Sequence, residues 1–330
     1  MSEGVQPFAK GQGRLPGIEA LRFFAALCIL LLHTRAVFGG QRVFGKGYLA
    51  VEFFLMLSGF LMAYAQEARI KDALPFMVKR YRRLWPTMTL GGLIGLPRLF
   101  LQSPTLANFA ATAAANLALI PVWWRQFVFE LNIPAWTIFY ELVANTLHTF
   151  VFRHLKLWAI WLGIALLAPV MAWVGMTWGS FDVGAMPGNI LAGLPRILFA
   201  YLIGIALGRM WRGGPWIPVP SLLAIPAMPV ILAASWWLQI DHHWRFDYLF
   251  TVIACPLMIA GGMRLTRFHR AAGLLGQLSF PLFAVQMPIL QGMQMLGWDK
   301  WTGGICAFAG GIVAAFLTSR FDSWRKEKKA

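Results

Sequence analysis

Long apolar stretches follow one another along nearly the whole chain, separated by short polar and basic stretches. Most of them are about twenty residues long, which is the length that a helix needs to cross the hydrocarbon core of a bilayer. An alternation of polar and apolar residues at every second position is absent, so the pattern favours helices over a β-barrel. The sequence therefore predicts an all-α fold, a polytopic membrane helical bundle.

We expect about ten transmembrane helices. The predicted spans are 17–38, 48–66, 84–101, 134–152, 157–177, 190–211, 217–239, 247–264, 278–297 and 301–319. A weaker apolar stretch at 105–122 is interpreted as re-entrant. No stretch between spans is long enough for a second domain. We therefore treat 1–330 as one integral-membrane domain, with a polar N-terminal tail at 1–16 and a basic C-terminal tail at 320–330.

The distribution of positive charge predicts which ends of the spans face the cytoplasm. The 330 residues are 58% hydrophobic and 13% charged, with a net charge of +16, whereas soluble domains are about 25% charged. The positive charge lies in short loops, so membrane topology explains it better than a nucleic-acid partner, and none is expected. With both termini in the cytoplasm and 105–122 re-entrant, twenty lysines and arginines fall on the cytoplasmic side and seven on the other. This bias predicts that orientation.

Cysteine usage excludes two kinds of site. Cys28, Cys255 and Cys306 are scattered through apolar segments. An odd and buried set argues against disulfides and against a metal site.

Two ionisable residues, Arg22 and His33, lie inside the first span. They are about three helical turns apart, so their side chains share one face and are separated by about 16 Å along the axis. Ionisable groups at this depth are costly and mark functional sites. A histidine hydrogen-bonded to a neighbouring helix is the alternative. A neutral imidazole can act as a general base near neutral pH.

Two acids also lie inside predicted spans. Glu141 falls at a depth similar to that of His33, so its carboxylate could orient the imidazole; sequence gives the depth of a side chain but not its direction around the helix. Glu52 falls close to the outer interface, where water could solvate it, which favours a structural role. His148 shares a helix face with Glu141, and we expect it to be structural.

A dense basic run, Lys79, Arg80, Arg82 and Arg83, lies at the cytoplasmic end of the third span. It either anchors the topology or contacts anionic lipid, or it binds a phosphate-rich ligand. Arg196 lies inside a span near its outer end. It either has a functional role or reaches the surface along its own stem.

Five motifs in a fixed order make the chain similar to the acyltransferase 3 family, especially its short members that acetylate exopolysaccharides. They are Ile18–His33 with its arginine and histidine, Gly47–Met62, the basic run Lys79–Pro86, Pro134–Glu141 with Trp136, and Leu274–Pro288 with Ser279. The resemblance covers most of the chain and is strongest in the first 150 residues.

The chain departs from the family pattern at four positions. Gln286 stands where many members carry histidine, so no late histidine is assigned a catalytic role. Phe280 and Phe283 replace tyrosines, and Glu52 replaces aspartate with the charge retained.

The resemblance implies a bacterial inner-membrane, multi-pass enzyme. It would move an acyl group, acetyl most often, from cytoplasmic acyl-CoA to a hydroxyl of an extracytoplasmic or lipid-linked glycan. His33 would be the base, and Glu141 would orient it or hold the sugar. Arg22 and the basic run Lys79, Arg80, Arg82 and Arg83 would bind acyl-CoA, with the donor's arm following the Arg22–His33 face.

A further set of residues has an acceptor-binding or structural-polar role in this hypothesis: Glu52, Ser58, Trp136, Arg196 and Ser279. Ser58 and Ser279 are poor candidates for an acyl-enzyme because neither is expected to have a base nearby. No permanently bound cofactor is expected, since acyl-CoA is a substrate. Membrane lipid is a further partner, and polysaccharide-synthesis proteins or a second copy of the chain are candidate protein partners.

Two other functions share some of these features. A transporter or flippase for a lipid-linked glycan would also have many spans, but it would often show inverted repeats and paired broken helices, which the sequence lacks. A non-catalytic subunit of a polysaccharide-synthesis complex would not need Arg22, His33 and Glu141 together.

Overall fold

The computed structural model describes residues 15–327, without the side chains of Asp322 and of 324–327. The predicted polar tail therefore lies almost wholly outside the described residues, as does the end of the predicted basic tail.

The described elements are helices and turns, which confirms the all-α prediction. Short 3-10 and π turns extend α2 to Arg69 and join α9 to α10. The helices are α1 (Pro16–Phe38), α2 (Ala50–Leu61), α3 (Ala73–Leu101), α4 (Leu106–Leu117), α5 (Ala135–Phe150), α6 (Leu157–Trp178), α7 (Ile190–Met210), α8 (Ser221–Trp237), α9 (Trp244–Leu249), α10 (Cys255–Met263), α11 (His269–Met295) and α12 (Lys300–Glu327).

Seven helices among the described residues are long and apolar enough to cross a membrane, which makes the chain a multi-pass membrane protein. They are α1, Gly47–Arg69, α6, α7, Trp244–Met263, α11 and the Lys300–Phe321 part of α12. Helices α3, α5 and α8 correspond to the three remaining predicted spans, but α3 carries several charges and the other two are shorter. The count of ten spans and the cytoplasmic position of the termini therefore remain predictions.

Successive long helices run in opposite directions between the two ends of the bundle. At the end where the chain enters, the Pro16 end, Gly17 packs against Gly262. At the opposite end, the Phe38 end, Gln294 donates a hydrogen bond to the Val37 carbonyl. Most of the lysines and arginines whose side chains the structure describes, including the basic run of α3, belong to the Pro16 end.

The stretch at 105–122 folds back on α3. The Thr105 hydroxyl accepts from the Asn108 backbone amide and caps α4. Helix α4 then runs antiparallel to α3, and its last turn meets α3 where Trp85 Nε1 donates to the Leu117 carbonyl at 2.8 Å. The chain returns to its starting level, because Arg125 donates to Asn108 Oδ1 at 3.0 Å. This is the geometry of a re-entrant hairpin that enters and leaves at the Phe38 end.

Asn116 stabilises the irregular backbone of this hairpin. Its amide nitrogen donates to the carbonyls of Ile120 and Val128 at 3.2 and 3.1 Å, and its oxygen accepts from the Leu131 amide at 3.2 Å. Irregular backbone within a membrane needs such protein partners because lipid offers none.

Glycines set the close packing of α2 against α7. A Cβ on Gly204 would overlap the Met56 carbonyl, and a Cβ on Gly59 would overlap the Tyr201 carbonyl. Small residues let two helix backbones approach where lipid provides no hydrophobic driving force between helices. This contact fixes α7, and with it Arg196, relative to α2.

We expect Gly204→Ala to destabilise the bundle by about 1–3 kcal/mol, the usual cost of overpacking. Thermal unfolding of the purified protein in detergent measures the effect. Gly273→Ala is the matched control, because no atom lies within 4 Å of a Cβ at that position of α11. Equal melting temperatures for the two variants would contradict this account of the α2–α7 contact.

Candidate active site

A cavity of 520 Å³ opens at the Phe38 end of the bundle. It lies between the last turns of α1, the loop that follows α1, the start of α5, the loop before α7, and α11. Its polar side chains are His33, Arg35, Arg42, Lys46, Thr137, Ser180, Asp182, Asn189, Asp241 and His242, and its large aromatic ones are Tyr48, Phe127, Trp136, Trp178 and Phe283. This size falls within the range of small-molecule sites, which is about 300–1,000 Å³.

His33 lines this cavity from the last turns of α1. The helix ends soon afterwards because Gly39 and Gly40 both have positive φ angles, at 78° and 111°. The His33 ring is half-buried, and its Nδ1 is buried without a hydrogen-bond partner among the described residues. Because the residue lines the cavity, its imidazole can exchange a proton with a molecule bound there.

A buried ion pair lies behind two lining residues, Tyr48 and Trp136, which we call the floor of the cavity. Arg196 Nε and Nη2 donate to the two carboxylate oxygens of Glu52 at 2.5 and 3.1 Å, and both residues are 1% exposed. The guanidinium also donates to the carbonyls of Tyr48 and Val183. It lies 5.1 Å from the Trp136 ring centre and 5.8 Å from that of Tyr48. The pair thereby holds two aromatic rings in the cavity wall.

The structure corrects one expectation here and excludes one alternative. Glu52 is not solvated at the outer interface, and Arg196 does not reach the surface along its stem. Each residue instead satisfies the other, because a charge buried in this environment requires an opposite charge and hydrogen bonds. Neither side chain lines the cavity itself.

A second buried network supports the wall beside the floor. Lys46 Nζ donates to Asp247 Oδ1 at 2.6 Å and to the Tyr48 hydroxyl at 2.8 Å, and Tyr48 donates to Asp247 Oδ2 at 2.7 Å. Asp247 also accepts from the Phe181 amide at 2.9 Å. These bonds tie the loop after α1 to α9 and to the loop before α7.

Glu141 does not orient His33. The Glu141 carboxylate accepts from the Ser58 hydroxyl and from Arg80 Nη2, each at 3.1 Å, and Arg80 also donates to Ser58 at 3.1 Å. Glu141 lies one turn below Thr137, which lines the cavity, so the carboxylate points to a separate cluster deeper in the bundle. Ser58 was expected to have no base nearby, but the Glu141 carboxylate lies beside it. Arg80 donates to the same carboxylate.

The basic run of α3 is divided between two environments. Arg80 turns into the bundle, where its side chain is 12% exposed. Lys79, Arg82 and Arg83 are exposed at the Pro16 end. The run thus does not act as one surface patch.

Arg22 lies apart from the cavity. Its Nη1 lies 3.4 Å from Glu19 Oε2 within α1, and its side chain is 30% exposed. The cavity reaches His33 but does not extend along α1 to Arg22. The predicted face holds both residues, but Arg22 is not part of the cavity lining.

Ser279 and His148 complete the predicted set. Ser279 is 1% exposed on α11, and its hydroxyl has no hydrogen-bond partner among residues 15–327. His148 is fully buried, with Nε2 3.2 Å from Glu67 Oε1 and its ring edge-on to Tyr201, as a structural residue would be.

Sequence analysis missed several cavity residues. Asp182, Asn189 and Asp241 lie in loops, where a polar residue carries no signal of its own. Asp247 could have been noticed as an acid at the start of an apolar span. Within residues 15–327, no three histidine, cysteine or acidic side chains are close enough together to hold a metal ion.

The family model described as an acyltransferase domain matches residues 15–320, and the chain belongs to this family, acyltransferase 3. The chain is thus a membrane acyltransferase.

Two curated relatives match it. An acyltransferase named MdmB from Streptomyces mycarofaciens is 25% identical over 350 residues, covering 92% of this chain and 87% of the relative. Protein 2 in the picA locus of Rhizobium radiobacter is 28% identical over 155 residues, covering 40% of this chain and 78% of that protein. No solved structure matches the chain.

We expect Glu52→Gln to destabilise the protein by on the order of 3–5 kcal/mol, because it leaves the Arg196 charge buried and unpaired. Thermal unfolding in detergent measures this loss. Glu52→Asp keeps the charge and should retain a large part of the stability. A Glu52→Gln protein that melts with the wild type would show that the pair does not support the floor.

Proposed function

We propose that the enzyme transfers an acyl group, acetyl in the first instance, from acyl-CoA to a hydroxyl group of an extracytoplasmic or lipid-linked glycan. The observation that carries the proposal is the position of His33, whose half-buried imidazole lines a polar and aromatic cavity in a membrane acyltransferase.

The cavity suits a sugar. Trp136, Trp178 and Tyr48 offer flat apolar surfaces, while Asp182 and Asn189 offer oxygen and amide partners for hydroxyl groups. Sites of this kind combine an apolar lining with a few polar groups that fix the orientation of the ligand. The cavity opens at the Phe38 end, which the charge bias predicts to be extracytoplasmic.

In this proposal His33 removes the proton from the acceptor hydroxyl as its oxygen attacks the carbonyl carbon of the thioester. The carbon–sulfur bond then breaks, and the protonated imidazole returns the proton to the departing thiolate of CoA. The acceptor gains an ester and His33 ends neutral. No acyl-enzyme is required, so the Ser58 hydroxyl has no covalent part.

The donor would approach from the opposite end. Acyl-CoA is anionic, and Lys79, Arg82, Arg83 and the partly exposed Arg22 all belong to the cation-rich Pro16 end. Arg and Lys side chains bind phosphates through charge-assisted hydrogen bonds. Arg80 has a different part in this proposal: through Ser58 and Glu141 it holds α3 against α2 and α5.

The separation of the cavity from the cation-rich end supports a membrane enzyme with donor and acceptor on opposite sides. The inner membrane is the location that we propose for it. A flippase would need no thioester and no base beside the cavity.

We expect His33→Gln to lower the rate of acetyl transfer by about 10²–10⁴-fold, the usual contribution of a general base. Purified protein in nanodiscs, labelled acetyl-CoA and a membrane glycan fraction provide the assay. His243→Gln is the control, since His243 is exposed at the same end but lies outside the cavity. Wild-type activity in His33→Gln would rule this residue out as the base, and glycan transport by wild type without consumption of acetyl-CoA would favour a flippase.

A further inference from the structure

The Phe38 end of the bundle has few cations, and most of them interact with other side chains of the protein. The charge bias predicts this end to be extracytoplasmic, where lysine and arginine are depleted, so each cation that is retained there is informative. Besides the paired Arg196, the described residues include seven at this end: Arg35, Arg42, Lys46, Arg98, Arg125, Arg245 and Lys300.

Five of these seven cations have a side-chain partner. Two form ion pairs, one donates to an amide oxygen, and two lie over aromatic rings. The partners are Asp247 for Lys46, Glu130 for Arg98, Asn108 for Arg125, Trp244 for Arg245 and Trp301 for Lys300. The two that have no such partner in the described part of the chain are Arg35 and Arg42, and both line the cavity.

Arg35 lies in the last turn of α1, two residues after His33. Two residues rise about 3 Å along a helix axis, so the two side chains reach the cavity at nearly the same level. Arg35 is half-buried, and its Nε is enclosed in the cavity wall without a hydrogen-bond partner among residues 15–327. A guanidinium carries five N–H donors, and the described side chains and carbonyls accept from none of them here.

Arg42 adds a second guanidinium to the lining. It comes from the loop that follows α1, and it is exposed. The acids of the lining, Asp182 and Asp241, form no ion pair with either arginine within the described ranges. Asp241 lies 3.6 Å from His242 Nε2 instead. The cavity therefore has two positive charges beside the proposed base that the protein itself does not pair.

We infer that Arg35 and Arg42 bind an anionic group of the acceptor, so that the acceptor is an acidic glycan whose carboxylate or phosphate lies close to the acylated hydroxyl. The inference rests on the proposed function, because it assumes that the cavity holds the acceptor.

The chemistry of the two side chains fits this role. The planar fork of a guanidinium matches the oxygens of a carboxylate or a phosphate and can donate two parallel hydrogen bonds to them. Because Arg35 is so close to His33 on α1, the anion belongs to the acylated sugar or to the unit next to it. A uronic acid supplies a carboxylate there, and the linkage of a glycan to a lipid supplies phosphate.

Two other roles for these arginines make different predictions. A cation in the last turn of a helix interacts favourably with the helix dipole, and a cation near a membrane surface binds lipid phosphates. Either role acts on the protein alone. Substitution would then lower stability or membrane anchoring and would affect acidic and neutral acceptors equally.

The test separates glycans from membranes of the source cells into neutral and acidic pools by anion exchange. Each pool is offered to purified protein in nanodiscs with labelled acetyl-CoA. The wild type should have a higher kcat/KM for the acidic pool. Arg35→Gln should lower that value by about 10–100-fold, chiefly through KM, as expected for lost hydrogen bonds to a charged group. Arg42→Gln should lower it by less because solvent screens an exposed charge. Arg35→Lys should restore part of the loss, since it keeps the charge.

Two pretreatments of the acidic pool distinguish the sources of the anion. Reduction with carbodiimide and borohydride converts carboxylates to alcohols, and mild acid cleaves the bond between a sugar and a lipid diphosphate. Loss of acylation after the first treatment identifies a carboxylate, and loss after the second identifies a phosphate.

Arg245→Gln is the matched control, because Arg245 is exposed at the same end but lies outside the cavity. It should acylate the acidic pool as the wild type does. No preference of the wild type for the acidic pool, acylation that survives both pretreatments, or an unchanged KM in Arg35→Gln would overturn the inference while leaving the proposed function standing. So would equal losses in Arg35→Gln and Arg245→Gln. Failure of the wild type to acylate either pool would overturn both.

Discussion

The ion pair between Glu52 and Arg196 is the contact on which the site depends. It joins α2 to α7 in the interior of the bundle, and Arg196 extends the contact to Trp136, Tyr48 and the Val183 carbonyl. Two aromatic rings of the cavity lining, Trp136 and Tyr48, thus pack against one guanidinium. Because lipid and the apolar core cannot solvate either charge, the pair must stay closed, and this makes the cavity floor rigid.

A rigid floor separates two regions with different chemistry. Toward the Phe38 end there is an open cavity with aromatic rings, carboxylates and an available imidazole. Toward the Pro16 end there are cations, the Ser58–Arg80–Glu141 cluster and Arg22. A reaction that joins an anionic donor to a hydroxyl acceptor across a membrane needs such a layout.

Much of the fold could be predicted because it depends on length, hydropathy and charge alone. The predicted spans fall on helices, and seven of these are long and apolar enough to cross a membrane. The stretch at 105–122 folds back on α3, and its re-entrant position in a membrane stays a prediction. The hydrogen-bond and ion-pair partners of the buried side chains could not be predicted in the same way. The depth of Glu141 suggested that its carboxylate contacts His33, but the rotation of α5 places the carboxylate beside Arg80. The sequence predicted that water solvates Glu52, but the packing of α7 places Arg196 beside it. Lys46 and Asp247 are far apart in sequence, and only the packed bundle brings them together.

The central claim is that donor and acceptor meet from opposite sides of the membrane. Acetyl-CoA does not cross lipid bilayers because of its charge, so sealed vesicles of known orientation test the claim directly. The account predicts acceptor acylation when acetyl-CoA is supplied to the face with the basic α3 run, and none when it is supplied only to the face with the His33 cavity. Equal acylation from the cavity face would contradict it.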